Sequence, residues 1–168
     1  MNIHVKTALT LSTLAVLVLL GVTWGWAAMT TPFPHRTAAP LCSQTTVHSG
    51  DRVAPPQVTV SVFNASQRTG LAGATLAGFQ AQGFGAGNVG NAPKGTHVAY
   101  AQVWTQDPTN PAVRLVKSRL GPKAHVVRKT HHGPGVVVMV GVGFNNVLRG
   151  LPSVKVTKTA TICTPPTA

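Results

Sequence analysis

The chain of 168 residues is long enough for one domain of ordinary size with additional segments. It carries 14 Lys and Arg against two acids, Asp51 and Asp107, a formal net charge of +12, yet only 10% of residues are charged and 43% are hydrophobic. Two carboxylates cannot furnish both a glycosidase pair and an oxygen cage for Mg²⁺ or Ca²⁺, and the apolar content is too high for an intrinsically disordered chain. What remains is a small basic protein that meets an anionic partner or surface.

From Thr7 to Ala28 no residue is charged, and Leu9 to Leu20 is almost continuously apolar. A helix needs about 20 such residues to cross bilayer hydrocarbon, and Trp24 and Trp26 fall where indoles favour the headgroup level. The pattern predicts a transmembrane anchor over 7–28 after a short cytoplasmic N-terminus, 1–6, with the remainder extracytoplasmic. The competing reading is a cleavable signal peptide, with Lys6 as its basic start and Gly25-Trp26-Ala27 as the cleavage site, which would release a secreted cationic binding protein. Against cleavage stand the length of the apolar run and the bulky Trp beside the site.

Cys42 and Cys163 are the two cysteines. In an exported chain they predict one intramolecular disulfide. It would close a loop of about 120 residues, which chain entropy values at roughly 4–5 kcal/mol. Neither cysteine has a second Cys or a His at zinc-ligand spacing, so no metal site is expected.

Residues 29–56 hold Pro32, Pro34, Pro40 and Pro55-Pro56 without apolar periodicity, which predicts a semi-extended stalk. Residues 57–149 then form a module with room for one core. Val58, Val60 and Val62 alternate with Thr59 and Ser61 as in a half-buried strand, and Asn64-Ala65-Ser66 turns the chain. A helix follows, with Ser66 or Thr69 as N-cap, an apolar stripe at Ala72, Leu76 and Phe79, and Gly83-Phe84 closing its end. The Gly-rich link 83–95 holds a short strand around Asn88-Val89, and 96–104 alternates as another strand. Asn110-Pro111 opens a second helix with Val113, Val116 and Leu120 on one side, and Gly121-Pro122 stops it. Residues 124–129 predict a strand, and the continuously apolar run Gly135–Val142 a strand covered on both faces. The order β-α-β-β-α-β-β predicts an α/β fold, an α+β two-layer sandwich of about five strands and two helices. In the tail, 150–168, Val154, Val156 and Ile162 alternate with polar residues and predict an edge strand.

Val58-Thr59-Val60-Ser61-Val62-Phe63-Asn64-Ala65-Ser66, followed by Thr69-Gly70-Leu71-Ala72, Gln82-Gly83-Phe84 and Gly87-Asn88-Val89-Gly90-Asn91-Ala92, resembles the LytR C-terminal domain family. The run Val136–Val140 with Gly141-Val142-Gly143-Phe144 is similar to the family's last strand and its Gly-x-Asp-Phe turn, except that Gly143 stands at the Asp position. The wider layout of anchor, cysteine, module and C-terminal cysteine resembles actinobacterial envelope-integrity proteins. The resemblance implies an accessory envelope protein without catalysis, because the polymer-transferring domain that often precedes this module has no counterpart here.

Gly85-Ala86-Gly87-Asn88-Val89-Gly90 matches G-x-G-x-x-G by letter, but a helix precedes it and a strand follows, the reverse of a dinucleotide site, so a turn is expected. His131-His132 lacks a third ligand, and neither Asp has a context that would orient an imidazole. No enzymatic activity, cofactor or metal is therefore expected. The basic stretch 114–129 holds Arg114, Lys117, Arg119, Lys123, Arg128 and Lys129 without an acid. It reads either as a solvated surface or as a footprint for an anionic cell-wall polymer, phospholipid headgroups or a polymer-transfer enzyme. An exported chain argues against nucleic acid as the partner.

Overall fold

The computed structural model describes residues 3–30, 41–130 and 133–166, so His131-His132 and the prolines at 32, 34 and 40 lie outside the described residues. The chain divides into two compact units, 1–38 and 39–168.

The described residues of the first unit form one helix, α1, Ile3–Thr30. Its segment Ala8–Thr30 is long and apolar enough to cross a membrane, and none of it is buried in protein; by length and composition it also passes as a signal sequence. Hydroxyl groups within it bond to the helix's own carbonyls. Ser12 and Thr13 hydroxyls donate to Ala8 O and Leu9 O at 2.8 Å, and Thr23 donates to Leu19 O at 3.0 Å. A helix in hydrocarbon requires such internal pairing, since no water is there to accept these protons.

The second unit runs β1 (Ser43–Val47), β2 (Arg52–Val53), a 3₁₀ turn (Pro55–Gln57), β3 (Thr59–Asn64), α2 (Leu71–Gln80), β4 (Gly85–Asn91), β5 (Ala101–Thr105), α3 (Pro111–Leu120), β6 (Ala124–Arg128), β7 (Val136–Val140), β8 (Val154–Lys155) and β9 (Ala160–Thr164). Five strands form one sheet in the order β4-β3-β7-β5-β6. β3 is parallel to β4 and to β7, whereas β5 is parallel to β6 and antiparallel to β7. Two βαβ units thus run in opposite directions, and β7 fills the seam between them. The all-apolar composition of β7 follows from that central place, and all five of its residues are buried.

Strand alternation sorts the side chains into two clusters. Val60, Val62, Val103, Val138 and Val140 meet Leu76 and Phe79 of α2 and Leu115, Val116 and Leu120 of α3. Val137, Met139 and Trp104 make a smaller cluster with Val98, flanked by Phe63 and Val127. Each fully buried Leu or Phe contributes about 1.5–3 kcal/mol of transfer free energy, so the helix-side cluster dominates. The α+β sandwich with five strands and two helices in the module, after an N-terminal apolar helix, is the observed fold.

The local signals act as expected at several ends. Asn110 Oδ1 accepts the Ala112 N–H at 3.0 Å with Pro111 at the first helical position. Gly83 has φ 87°, Phe84 N–H donates back to Phe79 O at 3.2 Å, and the two rings meet edge-to-face at 5.3 Å. Elsewhere the structure departs from expectation. α2 is capped by neither Ser66 nor Thr69; its N-cap is Gly70 in the left-handed region, φ 77°, with no side-chain bond, because Ser66 is engaged in the preceding turn. The Gly-rich link is a full strand. A Cβ at Gly87 would strike Ser61 Oγ and the Val60 backbone, and one at Gly90 would crowd the Phe63 ring, so glycine here permits close pairing with β3. β5 starts only at Ala101, since the loop before it brings Val98 into the smaller cluster.

The segment expected as a stalk is folded from Ser43 onward. β1 pairs antiparallel with β9 and β2 with β8, and Val47, Val53, Val154, Val156 and Ile162 are buried in the main core. The tail therefore pairs with β1 and β2 and adds no strand to the five-stranded sheet. α3 also packs against β2, β8 and β9, which explains why seven of its residues are buried, more than one stripe would require.

Candidate functional site

In a sheet with parallel strands, a crevice opens at the carboxyl ends where connections diverge, and ligands favour it. Here β3 ends at Asn64 and β4 at Asn91, and a cleft of about 1000 Å³ lies beside both, lined among others by Ser66, Arg68, Thr69, His97 and Val142. The turn after β3 builds its wall. Asn64 Oδ1 accepts the Ser66 N–H at 2.9 Å and its hydroxyl at 2.7 Å, while Asn64 Nδ2 donates to Arg68 O at 2.7 Å. Ser66 Oγ in turn accepts the Arg68 N–H at 3.2 Å. These short polar side chains hold the backbone by replacing bonds that strand and helix leave unmade.

Arg68 then spans the cleft base. Its Nη1 donates to Val142 O at 3.1 Å and Phe144 O at 2.6 Å, joining the β3–α2 turn to the chain after β7. Among the described residues, no carboxylate lines the cleft. Its chemistry is that of hydrogen bonding and positive charge, with the N-terminal amides of α2 lacking a side-chain cap at its rim. Arg68, Asn91 and His97 are the lining residues that charge-run reasoning passes over, because they are far apart in sequence. The Asn64–Ala72 motif was the available signal.

The six residues of the basic stretch do not share one surface. Arg114 and Lys117 are exposed on α3, and Lys123 is exposed in the turn after it. Val126 of β6 packs into the helix-side cluster and Val127 onto the smaller one, so alternation sends Arg128 to the helix side. Lys129 lies over the Trp104 ring on the other side, 4.7 Å from its centroid. Arg119 is buried, and this overturns its expected place on a ligand-facing surface. It donates to Gln82 Oε1 and, at 2.7 Å, to Leu151 O, and lies 5.5 Å over the Phe84 ring. Burial also lowers its pKa from the ordinary value, since desolvation disfavours the charged form. α3 is packed on both sides, so a position that would be solvated on a surface helix lies inside.

Both carboxylates close turns. Asp51 Oδ2 accepts the His48 N–H at 2.7 Å. Asp107 Oδ1 accepts the Thr109 N–H at 2.9 Å and its hydroxyl at 2.6 Å. Those two bonds, with help from Lys158 and Arg128, hold the Asp107 carboxyl below the usual carboxylate range. Among the described residues, no group of three His, Cys, Asp or Glu is placed to hold a metal.

Cys42 and Cys163 form a disulfide with Cα atoms 5.4 Å apart, across the β1–β9 pair where Gln44 faces Cys163. A smaller cavity of about 330 Å³ lies beside it, lined by Trp104, Val113, Pro134 and Ile162.

A family model described as the LytR cell envelope-related transcriptional attenuator matches residues 57–144. Neither the curated proteins nor the solved structures searched contain a match. The matched region runs from the 3₁₀ turn through β7 to the Phe144 contact with Arg68, and so contains the whole sheet, both helices and the cleft. It covers just over half of the 168 residues, and the chain accordingly belongs to the LytR C-terminal domain family and is cell-envelope-associated.

Proposed function

We propose that this chain is a single-pass, membrane-anchored, non-catalytic envelope protein that contributes to envelope integrity by binding an anionic component. In this reading α1 stays in the bilayer with its N-terminus in the cytoplasm, and residues 39–168 lie outside. The partner is an anionic wall polymer or the lipid headgroups, or else the basic module scaffolds a polymer-transfer enzyme.

One observation carries the reading. Asp51 and Asp107 are engaged in closing turns, while Arg114, Lys117, Lys123, Arg128 and Lys129 are exposed with no carboxylate of the described residues bonded to them. A chain with a net charge of +12 repels itself, and an anionic partner relieves that cost. The cleft beside Asn64 and Asn91 supplies a place for one anionic group, and the exposed cations attract the rest of a polymer.

The test is capture of the full chain in nanodiscs on purified anionic wall polymer. Raising salt from 50 to 500 mM shortens the Debye length several-fold, and bound protein should fall by at least about tenfold. Replacing Arg114, Lys117, Lys123 and Arg128 together by Gln should bring binding at low salt to the high-salt level. Capture that ignores both salt and charge would refute the reading. Release of a shortened chain into the medium would favour the secreted form over the anchored one.

A further inference from the structure

Charge is distributed unevenly over the folded unit. From Thr69 to Pro93 there is no Lys, Arg, His, Asp or Glu, and this run makes α2 and β4. The exposed positions of α2 are Gly73, Ala74, Ala77 and Gln80, all neutral. β4 beside it is the outermost strand of the sheet, bonded to β3 alone, and among the described residues no strand lies beyond it. Val89 on this strand is 51% exposed.

The two edges of the sheet are treated differently. An exposed edge offers unpaired N–H and C=O groups to any passing strand, and charged side chains are the common defence. β6, the opposite edge, carries His125 and Arg128 and is flanked by Lys123 and Lys129. β4 has no charged residue. Its bulge at Gly87-Asn88 turns the Asn88 N–H inward to Ser61 Oγ at 3.0 Å, and Pro165 lies against Gly85. The run Val89–Asn91 is left as the regular, unguarded part of the edge.

We infer that β4 pairs antiparallel with β4 of a second copy of this chain, about a two-fold axis at Gly90 that sets the runs Val89–Asn91 of the two copies side by side. The pairing joins two five-stranded sheets into one of ten strands and sets the neutral faces of the two α2 helices side by side. A two-fold contact brings the same patch from each copy together, so the patch must tolerate itself. On a chain of net charge +12 the α2–β4 side meets that condition, because no cation on it faces its own image. The cationic α3–β6 side does not. Small residues on α2 let the helices approach closely, and the backbone of β4 supplies the directional bonds.

The experiment is native mass spectrometry of the full chain in detergent micelles from about 1 to 100 μM. The expected result is a dimer for the parent chain. Val89→Lys and Val89→Glu should each raise the dissociation constant at least tenfold when alone, and an equimolar mixture of the two should restore a heterodimer. A chain that stays monomeric throughout overturns the inference. So does a dimer insensitive to both substitutions, which would move the contact to α1 or another face, and so does failure of the mixture to pair. Because Val89 is exposed, thermal midpoints of the variants should match the parent, which separates lost pairing from lost folding.

Discussion

Arg119 on α3 donates from Nη2 to the carbonyl oxygen of Leu151 at 2.7 Å, tying the second helix of the family domain to the chain beyond it. The same segment is held by Leu148 N–H to Arg119 O at 2.8 Å and by Leu151 N–H to Ser118 Oγ at 3.2 Å. Gln82 Nε2 donates to Leu148 O at 3.0 Å, and its Oε1 accepts from Arg119. The end of α2, the end of α3 and residues 148–151 therefore form one polar clamp over the Phe84 ring.

Removing the clamp should cost stability. Arg119→Ala leaves the Gln82 and Leu151 oxygens without their donor and removes the guanidinium from Phe84, a loss of roughly 2–4 kcal/mol. Arg119→Lys keeps the charge without the planar fork and should recover less than half of that. Urea denaturation midpoints of the three chains give the comparison.

The disulfide closes a segment spanning 121 residues in sequence. Cys42→Ser with Cys163→Ser should destabilise the folded unit by up to about 4–5 kcal/mol in the chain-entropy account. Reductant should lower the thermal midpoint of the parent and leave that of the double variant unchanged. Proteolysis should then cut first near β1 and β9, which the bond holds together.

Asp107 has a folded-state pKa below its ordinary value, chiefly through its two bonds from Thr109. A depressed carboxyl contributes stability that is fully present above the unfolded pKa near 4 and is lost as pH falls through the lower folded value. The unfolded chain binds more protons in that window, so stability should drop on acidification. Denaturation midpoints measured from pH 6 to pH 2.5 should fall less steeply for Asp107→Asn than for the parent.

Gly87→Ala should destabilise by about 1–3 kcal/mol, because the new methyl has only Ser61 Oγ and the Val60 backbone to displace. Ala at Gly73, where a Cβ meets nothing within 4 Å on exposed α2, should be neutral or stabilising by up to about 1 kcal/mol. Thermal midpoints of the two variants should therefore move in opposite directions, or the second not at all.

Elements whose cause is local were legible in the sequence. The Val58-Val60-Val62 alternation, the Asn110-Pro111 start, the Gly83-Phe84 end and the unbroken run Val136–Val140 each determine a strand, a cap or a buried centre within a few residues. The apolar stretch of α1 and the existence of one cysteine pair were determined in the same way. Tertiary structure alone decided which residues meet across the chain. β1 and β2 find β9 and β8 about a hundred residues away, and their short, polar-alternating sequences do not name a partner. That pairing covers the second side of α3, while Gln82, Phe84 and the chain at 148–151 turn Arg119 from a surface cation into an internal clamp. The cleft is likewise a meeting of strand ends, so Arg68, Asn91 and His97 carry no common pattern along the sequence. Charge is a property of the chain, but whether two cations share a face depends on strand alternation and packing, as Arg128 and Lys129 show.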